Sequence, residues 1–450
     1  MTIFSGAGRG TEIRTETFAV SSARILLGLT LLAAPLPFGA VFTWAWATLA
    51  LSTALILILW AAGSLERESV TVGYTPLYLP LALLLALGFL QWSCRLTLGP
   101  IGTRESLVKL ATDFVLFFVV VQLFATAPIA TWRRTGMAVL AFGFALSFLS
   151  ILQFLWNPSR ILWVDHNLEG PFGPYVDRDH YAGLMEMIIP FTACYVLSRP
   201  RRDPRQGVLW FAVLIPVVSL LLTGSRGGLV SLLAETTILG WITIRGNALP
   251  RRRTTGAVAG LALVAVASLF FWLAPPVILT KLGTFRNYAT EARSGRVALW
   301  KDSFRLFRDH PWLGTGMGSF ATVYPPYQSE PSELVTEHAH NDYLEALTET
   351  GVAGGILILS ALALFLLNAF RGLKERLQFE AGWIQLGAAI GCLGILIHSF
   401  VDFNLRIPAN AAWFAFCAGL AIQPGSIAPA REERPNQTII GKSGSQKSGA

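Results

Sequence analysis

The chain has 450 residues, of which 53% are apolar and 14% charged, against roughly 25% charged in an ordinary soluble domain. That balance excludes a soluble globular protein and fits a chain immersed in a lipid bilayer. The net charge of +8 does not mark a nucleic-acid binder, because Lys and Arg sit in short clusters between apolar runs, with no interleaved aromatics for base stacking.

Apolar runs of about 17 to 25 residues, enough to cross a ~30 Å hydrocarbon core as helix, recur along the chain. Lipid offers no partners to backbone polar groups, so each run has to be helical. The predicted spans are 24–41, 43–62, 76–92, 107–127, 135–156, 180–198, 207–223, 227–244, 256–275, 343–370, 382–401 and 408–423. This is an all-α, polytopic transmembrane bundle of about 12 spans, one intramembrane unit over 24–423 after an N-terminal segment 1–23. The first run follows Arg9, Arg14 and Arg24 but lacks a small-residue cleavage site, so it reads as an uncleaved span.

Basic clusters at Arg133 and Arg134, in "RPRRDPR" (199–205), in "RGNALPRRR" (245–253) and in "RGLKER" (371–376) fall on alternate connections. Excess Lys and Arg mark cytoplasmic loops, which places both termini in the cytoplasm. The loops at 63–75 and 93–106 run against this assignment and are outweighed. The opposite side then receives the loop 157–179, the "TGSRGG" turn (223–228), the long loop 276–342 and the turn from His398 to Arg406. The tail 424–450 is polar and rich in Gly, Ser and Pro, too poor in apolar residues to offset the entropy of ordering, and is expected to be disordered. Cys94, Cys194, Cys392 and Cys417 lack CxxC spacing and read as packing residues. The absence of a matched pair of broken helices weakens a transporter reading.

Three places concentrate polar chemistry at the edge of the oil. Arg226 stands between Gly224 and Gly227-Gly228 at a span exit, where its planar fork suits bidentate contact with phosphate oxygens and the glycines would let a ligand near the backbone. In the long loop, Val297, Trp300, Phe304 and Phe307 form one apolar face of a helix lying at the membrane surface. Pro311 and glycines 314, 316 and 318 end it in a bend with exposed amides, and Arg293 and Arg296 at its start would face an anionic ligand. The alternative is a solvated lid without catalytic residues. In "TEHAHNDYLEALTETGVAGG" (336–355), His340, Tyr343 or Leu344, Leu347, Gly351 and Gly354 follow one helical stripe, so that glycines admit a neighbouring helix and His340 caps the stripe. Such a histidine can accept a proton from an attacking hydroxyl, oriented by Asp342, Glu345 or Glu337. Metal ligation by His338, His340 and Asp342 is disfavoured, since alternate residues on a helix diverge by about 200°, and "DRDH" (177–180) is a second weak metal-like cluster.

The run His340-Asn341, nine residues, Gly351, two residues, Gly354 resembles the H-[NSQ]-x9-G-x-x-[GTY] signature of the O-antigen ligase and O-antigen polymerase superfamily. "SRGG" at 225–228, "SGRVALWKDSFRLFRDHPWLGTGMGSF" in the long loop, "GPFGPYVDRDHYAGLMEM" (170–187) and "HSFVDFNLRIPAN" (398–410) agree with it, and the likeness is dense over about 165–415. The resemblance implies an inner-membrane glycosyltransferase of the C-type class, with a large periplasmic loop between spans 9 and 10, that uses an undecaprenyl-diphosphate-linked glycan without metal, nucleotide sugar or other cofactor. It implies that Arg226 and Arg296 hold the lipid diphosphate, with Arg293 an ambiguous neighbour, and that His340 is the base. Asn341 and His338 flank that base as substrate-binding candidates, together with Asp179 and His180, although Asp179 stands where the family pattern has asparagine. The acceptor implied is lipid A core (ligase), a growing polysaccharide (polymerase) or a protein hydroxyl (oligosaccharyltransferase). A transporter of a lipid-linked or anionic substrate and a non-catalytic scaffold are the competing classes.

Overall fold

The computed structural model describes residues 17–67, 70–157, 160–161, 164–165, 170–200, 203–245, 295–330 and 336–424. The helices in chain order are α1 (Phe18–Ala33), α2 (Thr43–Glu66), α3 (Tyr78–Ser93), α4 (Pro100–Ala125), α5 (Ile129–Trp156), α6 (Arg178–Ser198), α7 (Gln206–Thr223), α8 (Arg226–Arg245), α9 (295–309), α10 (Phe320–Val323), α11 (Asp342–Phe370), α12 (Leu373–Arg376), α13 (Glu380–His398) and α14 (Pro408–Ala421). Among the described residues, α2, α4, α5, α6, α7, α11 and α13 are long and apolar enough to cross a membrane, and α1 and α3 are shorter apolar helices. The chain is a multi-pass helical membrane protein. The expected span at 256–275, the tail from 425 and Arg293 lie outside the described residues. The other expected spans fall on helices, but α1, α4 and α5 start six or seven residues before the expected spans, and α1 ends at Ala33 where the span was expected to run to 41. α1 begins at Phe18 because the Thr17 hydroxyl accepts from Val20 N. Arg24, read as a flanking charge, lies inside α1 and donates from Nε and Nη2 to Leu123 O at 3.0 and 2.7 Å.

The centre of the bundle is the pair α6 and α13. Both are buried almost all round, as befits helices without a polar face. Small residues bring them together. A Cβ on Gly387 would stand 2.6 Å from Pro190 O, and one on Gly391 2.8 Å from Met187 Cα. Pro190 lies inside α6, where its missing N–H leaves the Glu186 carbonyl without its usual helical donor. α5, α7, α8 and α14 pack around this pair.

At one end of the bundle lie Glu380 at the start of α13 and Arg133 near the start of α5, joined by an ion pair. The ends of α11 and α14 lie there too, where Arg376 donates to Ala369 O and Ala421 O at 2.9 and 2.8 Å. Gln423 Nε2 donates to Val121 O, close to the carbonyl that Arg24 engages, so both described chain ends sit at this end. At the other end lie the first turns of α6, α8 and α11 and the segment that follows α13.

Candidate active site

Asn341 starts α11, its side-chain oxygen accepting from Tyr343 N and Leu344 N at 3.1 and 3.0 Å. The same turn is tied to the segment after α13. Asp342 N donates to Ser399 O at 2.9 Å, and Asp342 Oδ2 accepts from Ser399 Oγ at 2.7 Å and Leu405 N at 3.0 Å. Between these anchors His340 takes a left-handed φ of 47°, unusual for a residue with a Cβ and characteristic of functional turns. The turn aims its imidazole at the carboxylate of Asp402, Nδ1 to Oδ1 3.2 Å.

Asp402 is 1% exposed, whereas the His340 side chain is 35% exposed. Burial alone would raise the Asp402 pKa. The hydrogen bond to His340 and the charge that His180, His398 and His340 can carry outweigh burial and hold the carboxyl well below the usual range. An ionised carboxylate only accepts, so the proton between them belongs to Nδ1 and the exposed Nε2 is left as the acceptor. The ring of Phe403 supports three imidazoles. His338 stacks on it with centroids 4.2 Å apart, and His180 and His340 meet it edge-on at 4.6 and 4.9 Å.

A second charged group lies beside the first. His338 Nδ1 is 2.9 Å from Glu345 Oε1, whose other oxygen accepts from Ala339 N at 2.7 Å. Arg406 reaches Glu349 Oε2 at 2.6 Å and Glu345 Oε1 at 3.4 Å. Burial works to lower the His338 pKa, but the Glu345 charge and hydrogen bond prevail and raise it. From the long loop, Trp300 on α9 donates its indole N–H to Ala339 O at 3.0 Å, docking that helix on the histidine segment.

The glycines of the long loop and of α11 form a joint. α11 is broken at Gly351 (φ 61°, ψ −164°), and the loop backbone enters the break. Val352 N donates to Pro311 O and Ala353 N to Trp312 O at 2.8 and 3.1 Å, while Thr315 N and Gly316 N donate back to Thr348 O and Glu349 O at 3.0 Å each. A Cβ at Gly351 would collide with the Trp312 carbonyl. Gln91 of α3 completes the joint, donating to Leu313 O and Glu349 O at 2.6 and 2.9 Å and accepting from Met317 N at 3.1 Å. Gly351 therefore serves a backbone joint, not the helix-packing stripe expected from its spacing, and the amides of Gly316 and Met317 are not exposed but bonded to protein acceptors.

Residues 211–359 match the family model described as O-Antigen ligase. The chain is 25% identical over 313 residues to an O-antigen ligase of Pseudomonas aeruginosa, an alignment covering 67% of each chain. It is 29% identical over 150 residues to the exopolysaccharide production protein ExoQ of Rhizobium meliloti, covering 31% of this chain and 32% of that relative. The chain is thus similar to proteins of the O-antigen ligase superfamily. The matched region contains Arg226, Arg296, His338, His340 and Gly351 and stops short of Asp402, so the partner of His340 comes from outside it.

The other residues expected at the site are placed as follows. Arg226 is the exposed first residue of α8. Gly227 and Gly228 beside it do not open space for a ligand, since a Cβ on Gly227 would strike the His398 ring and one on Gly228 would lie 2.9 Å from Ala182 Cβ. Arg296 is half-buried on α9, one helical turn before Trp300 and on the same side. On that helix Leu299, Asp302, Ser303 and Leu306 face the protein while Val297 and Phe304 face outward. His180 is buried, its Nε2 3.9 Å from Asp402 Oδ1, and Asp179 N donates to Asp177 Oδ1 at 2.7 Å. Of the groups expected to orient His340, Glu337 is exposed, Asp342 holds Ser399 and Leu405, and Glu345 holds His338. Asp402 takes that place. Its signal was the polar density of "HSFVDFNLRIPAN" between two apolar helices. Among the described residues no three of His, Cys, Asp and Glu converge as a metal ligand set.

Proposed function

We infer that the protein is a glycosyltransferase of the bacterial inner membrane that moves a glycan en bloc from an undecaprenyl-diphosphate carrier to an acceptor hydroxyl at the periplasmic face. The observation that carries this reading is the half-exposed His340 imidazole held through Nδ1 by the buried carboxylate of Asp402. With the likeness to the O-antigen ligase superfamily, that pair supports His340 Nε2 as the base that takes the acceptor hydroxyl proton, with Asp402 fixing the tautomer and stabilising the imidazolium that forms. The acceptor oxygen then attacks the anomeric carbon opposite the diphosphate and inverts that centre. Arg226 and Arg296 serve the departing diphosphate, because guanidinium groups held in a poorly hydrated site stabilise developing charge better than water does. Both termini are assigned to the cytoplasm, the side of the bundle opposite His340.

The acceptor proposed is lipid A core or a growing polysaccharide. Polymerisation is the second reading, favoured by the likeness to a relative named for exopolysaccharide production. The test is reconstitution in lipid discs with undecaprenyl-diphosphate-linked glycan, with and without EDTA, offering lipid A core, a second lipid-linked glycan or a serine-bearing peptide. A single addition to lipid A core identifies a ligase and a ladder on the carrier a polymerase. Activity that survives EDTA supports a metal-independent reaction. Flux of substrate with no new glycosidic bond would instead make the protein a transporter.

A further inference from the structure

The long loop folds as a small body with a core of its own. Leu299 and Leu306 of α9, Phe320 of α10, Tyr324 and Ala339 form a buried cluster separate from the bundle core, and Trp300 packs against it. Asp302 of α9 ties the loop together, its Oδ2 accepting from Ser329 N at 2.9 Å and Ser329 Oγ at 2.8 Å. Such a body has to be fastened to the bundle if its residues are to act with those of α11 and α13. One fastening is the joint at Gly351, which grips residues 311–316 just beyond the last turn of α9. Another is Ala339, which meets α9 nearer its other end.

Ala339 is strapped between the two bodies. Its N–H donates to Glu345 Oε2 of α11 at 2.7 Å, and its carbonyl accepts the Trp300 indole N–H of α9 at 3.0 Å. Its methyl group is fully buried in the loop core. His338 and His340 flank it, and His340 is held on the bundle side by Asp402. Arg296 stands one turn before Trp300, so the bond that anchors the His340 segment also anchors the stretch of α9 that carries Arg296. The lever it steadies is long. Arg296 lies 13 residues before the end of α9, hence ~20 Å from the joint, and a tilt of ~5° about that pivot would carry it ~2 Å. A misplacement of ~1 Å can cost ~10²-fold in rate. A second bond close to Arg296 removes that freedom, and the joint alone does not.

We propose that Trp300 is a positioning residue for glycan transfer: through the Ala339 carbonyl it sets the placement of Arg296, which serves the departing diphosphate, relative to the base His340. This rests on the transferase reading and on the role given there to Arg296. Trp300 touches neither the reacting atoms nor the proton, and acts through the two segments that its indole joins. A side chain present only to fill the loop core would need no donor. The indole N–H is instead directed at the one peptide carbonyl that lies between the two histidines.

The deciding variant is Trp300→Phe in the full-length protein in lipid discs, with the undecaprenyl-diphosphate-linked donor and the acceptor that the wild type accepts. Phenylalanine keeps an apolar ring against the loop core and removes the N–H. The expected result is a fall in kcat/KM for the donor of about ten- to a hundredfold, with KM for the acceptor unchanged. A role in packing alone would lower the unfolding temperature without that split. The substitution is then repeated in Arg296→Lys and in Arg226→Lys, each of which should keep part of its activity because lysine retains the charge but not the fork. Beside Arg296→Lys the loss from Trp300→Phe should shrink to about twofold or less, since the fork it places is gone, and beside Arg226→Lys it should persist in full. If phenylalanine unfolds the loop, an indole analogue with sulfur in place of the N–H, incorporated at position 300, keeps the bicyclic shape and decides instead. An active wild type whose Trp300 variant loses nothing, or loses the same in both arginine backgrounds, overturns the positioning role alone. A wild type that transfers nothing to any acceptor overturns the transferase reading and the positioning role with it.

Discussion

The two ends of α13 handle charge in opposite ways. At its N-terminal end Glu380 meets Arg133 through two hydrogen bonds and stays partly exposed, and the nearby buried Arg376 donates to Gln385, Ala369 and Ala421. Both charged groups there, Glu380 and Arg376, are partnered. At the C-terminal end His398, Asp402, Glu186 and His180 are buried, several of their polar atoms have no partner, and His340 is held in a left-handed turn. Satisfied charge fastens helices together, while unsatisfied charge beside a strained turn is an arrangement retained at a cost in stability. On the proposed reading, chemistry belongs to the His340 end and mechanical fastening to the other.

The comparison breaks most visibly if the His340 end can be dismantled without loss of activity. His340→Ala is expected to lower transfer by ~10²- to 10⁴-fold, the contribution of a general base, with membrane insertion and unfolding temperature near those of the wild type. Asp402→Asn should approach the same loss, because an amide no longer requires the Nδ1 proton and the ring can present the wrong tautomer. The double variant should be no worse than His340→Ala, since the two residues act as a unit. Additive losses in the steady-state rates would separate Asp402 from the base.

Next in size is the joint at Gly351. A β-branched side chain at φ 61° is strained, and its Cβ would push the Trp312 carbonyl out of the break in α11. Gly351→Val is expected to cost about 1 to 3 kcal/mol and to expose the 311–318 segment to limited proteolysis. An unchanged digestion pattern would restore the helix-packing stripe as the role of this glycine. A smaller effect follows from His338. Its folded pKa is raised by Glu345 above the ~6.5 of a free imidazole, so the pair contributes fully below that value and its contribution fades as pH rises through the raised one. Thermal unfolding from pH 6 to 9 should show wild type losing an advantage over His338→Gln as pH rises, and a gap that widens instead would contradict the pairing.

Most of the helical framework is legible in the sequence because lipid forces apolar runs into helices whatever their neighbours. The positions of His340 and Arg226 are legible too, as polar residues at the ends of such runs, Arg226 beside glycines and His340 eleven residues before Gly351. The partners are not. Asp402 stands 62 residues after His340, and no local periodicity connects them; only the closure of α11 onto the turn after α13 does. Gly351 shows a different failure. Its spacing from Gly354 suits a packing stripe, but a glycine also permits a positive φ, and only the backbone of 311–316 lying in the break reveals which property is used. Glu186, buried beside His398, was hidden for a third reason, that a lone acid in an apolar run does not stop it from reading as a span.

The smallest expected effect tests the quiet end. Arg133 donates to both oxygens of Glu380, and Arg199 stands 3.9 Å from one of them. This bidentate geometry is as good as any charge pair near His340. The Arg133 side chain is nevertheless 48% exposed, and exposed pairs contribute only about 0 to 1 kcal/mol because water and salt already stabilise the separated charges. Arg133→Ala should therefore leave transfer unchanged and move stability slightly, by an amount that shrinks further in high salt. Should it instead abolish transfer in a folded protein, charge at the far end would be coupled to His340 across the whole length of α13. The division of labour between the two ends would then fail at the end that looks purely structural.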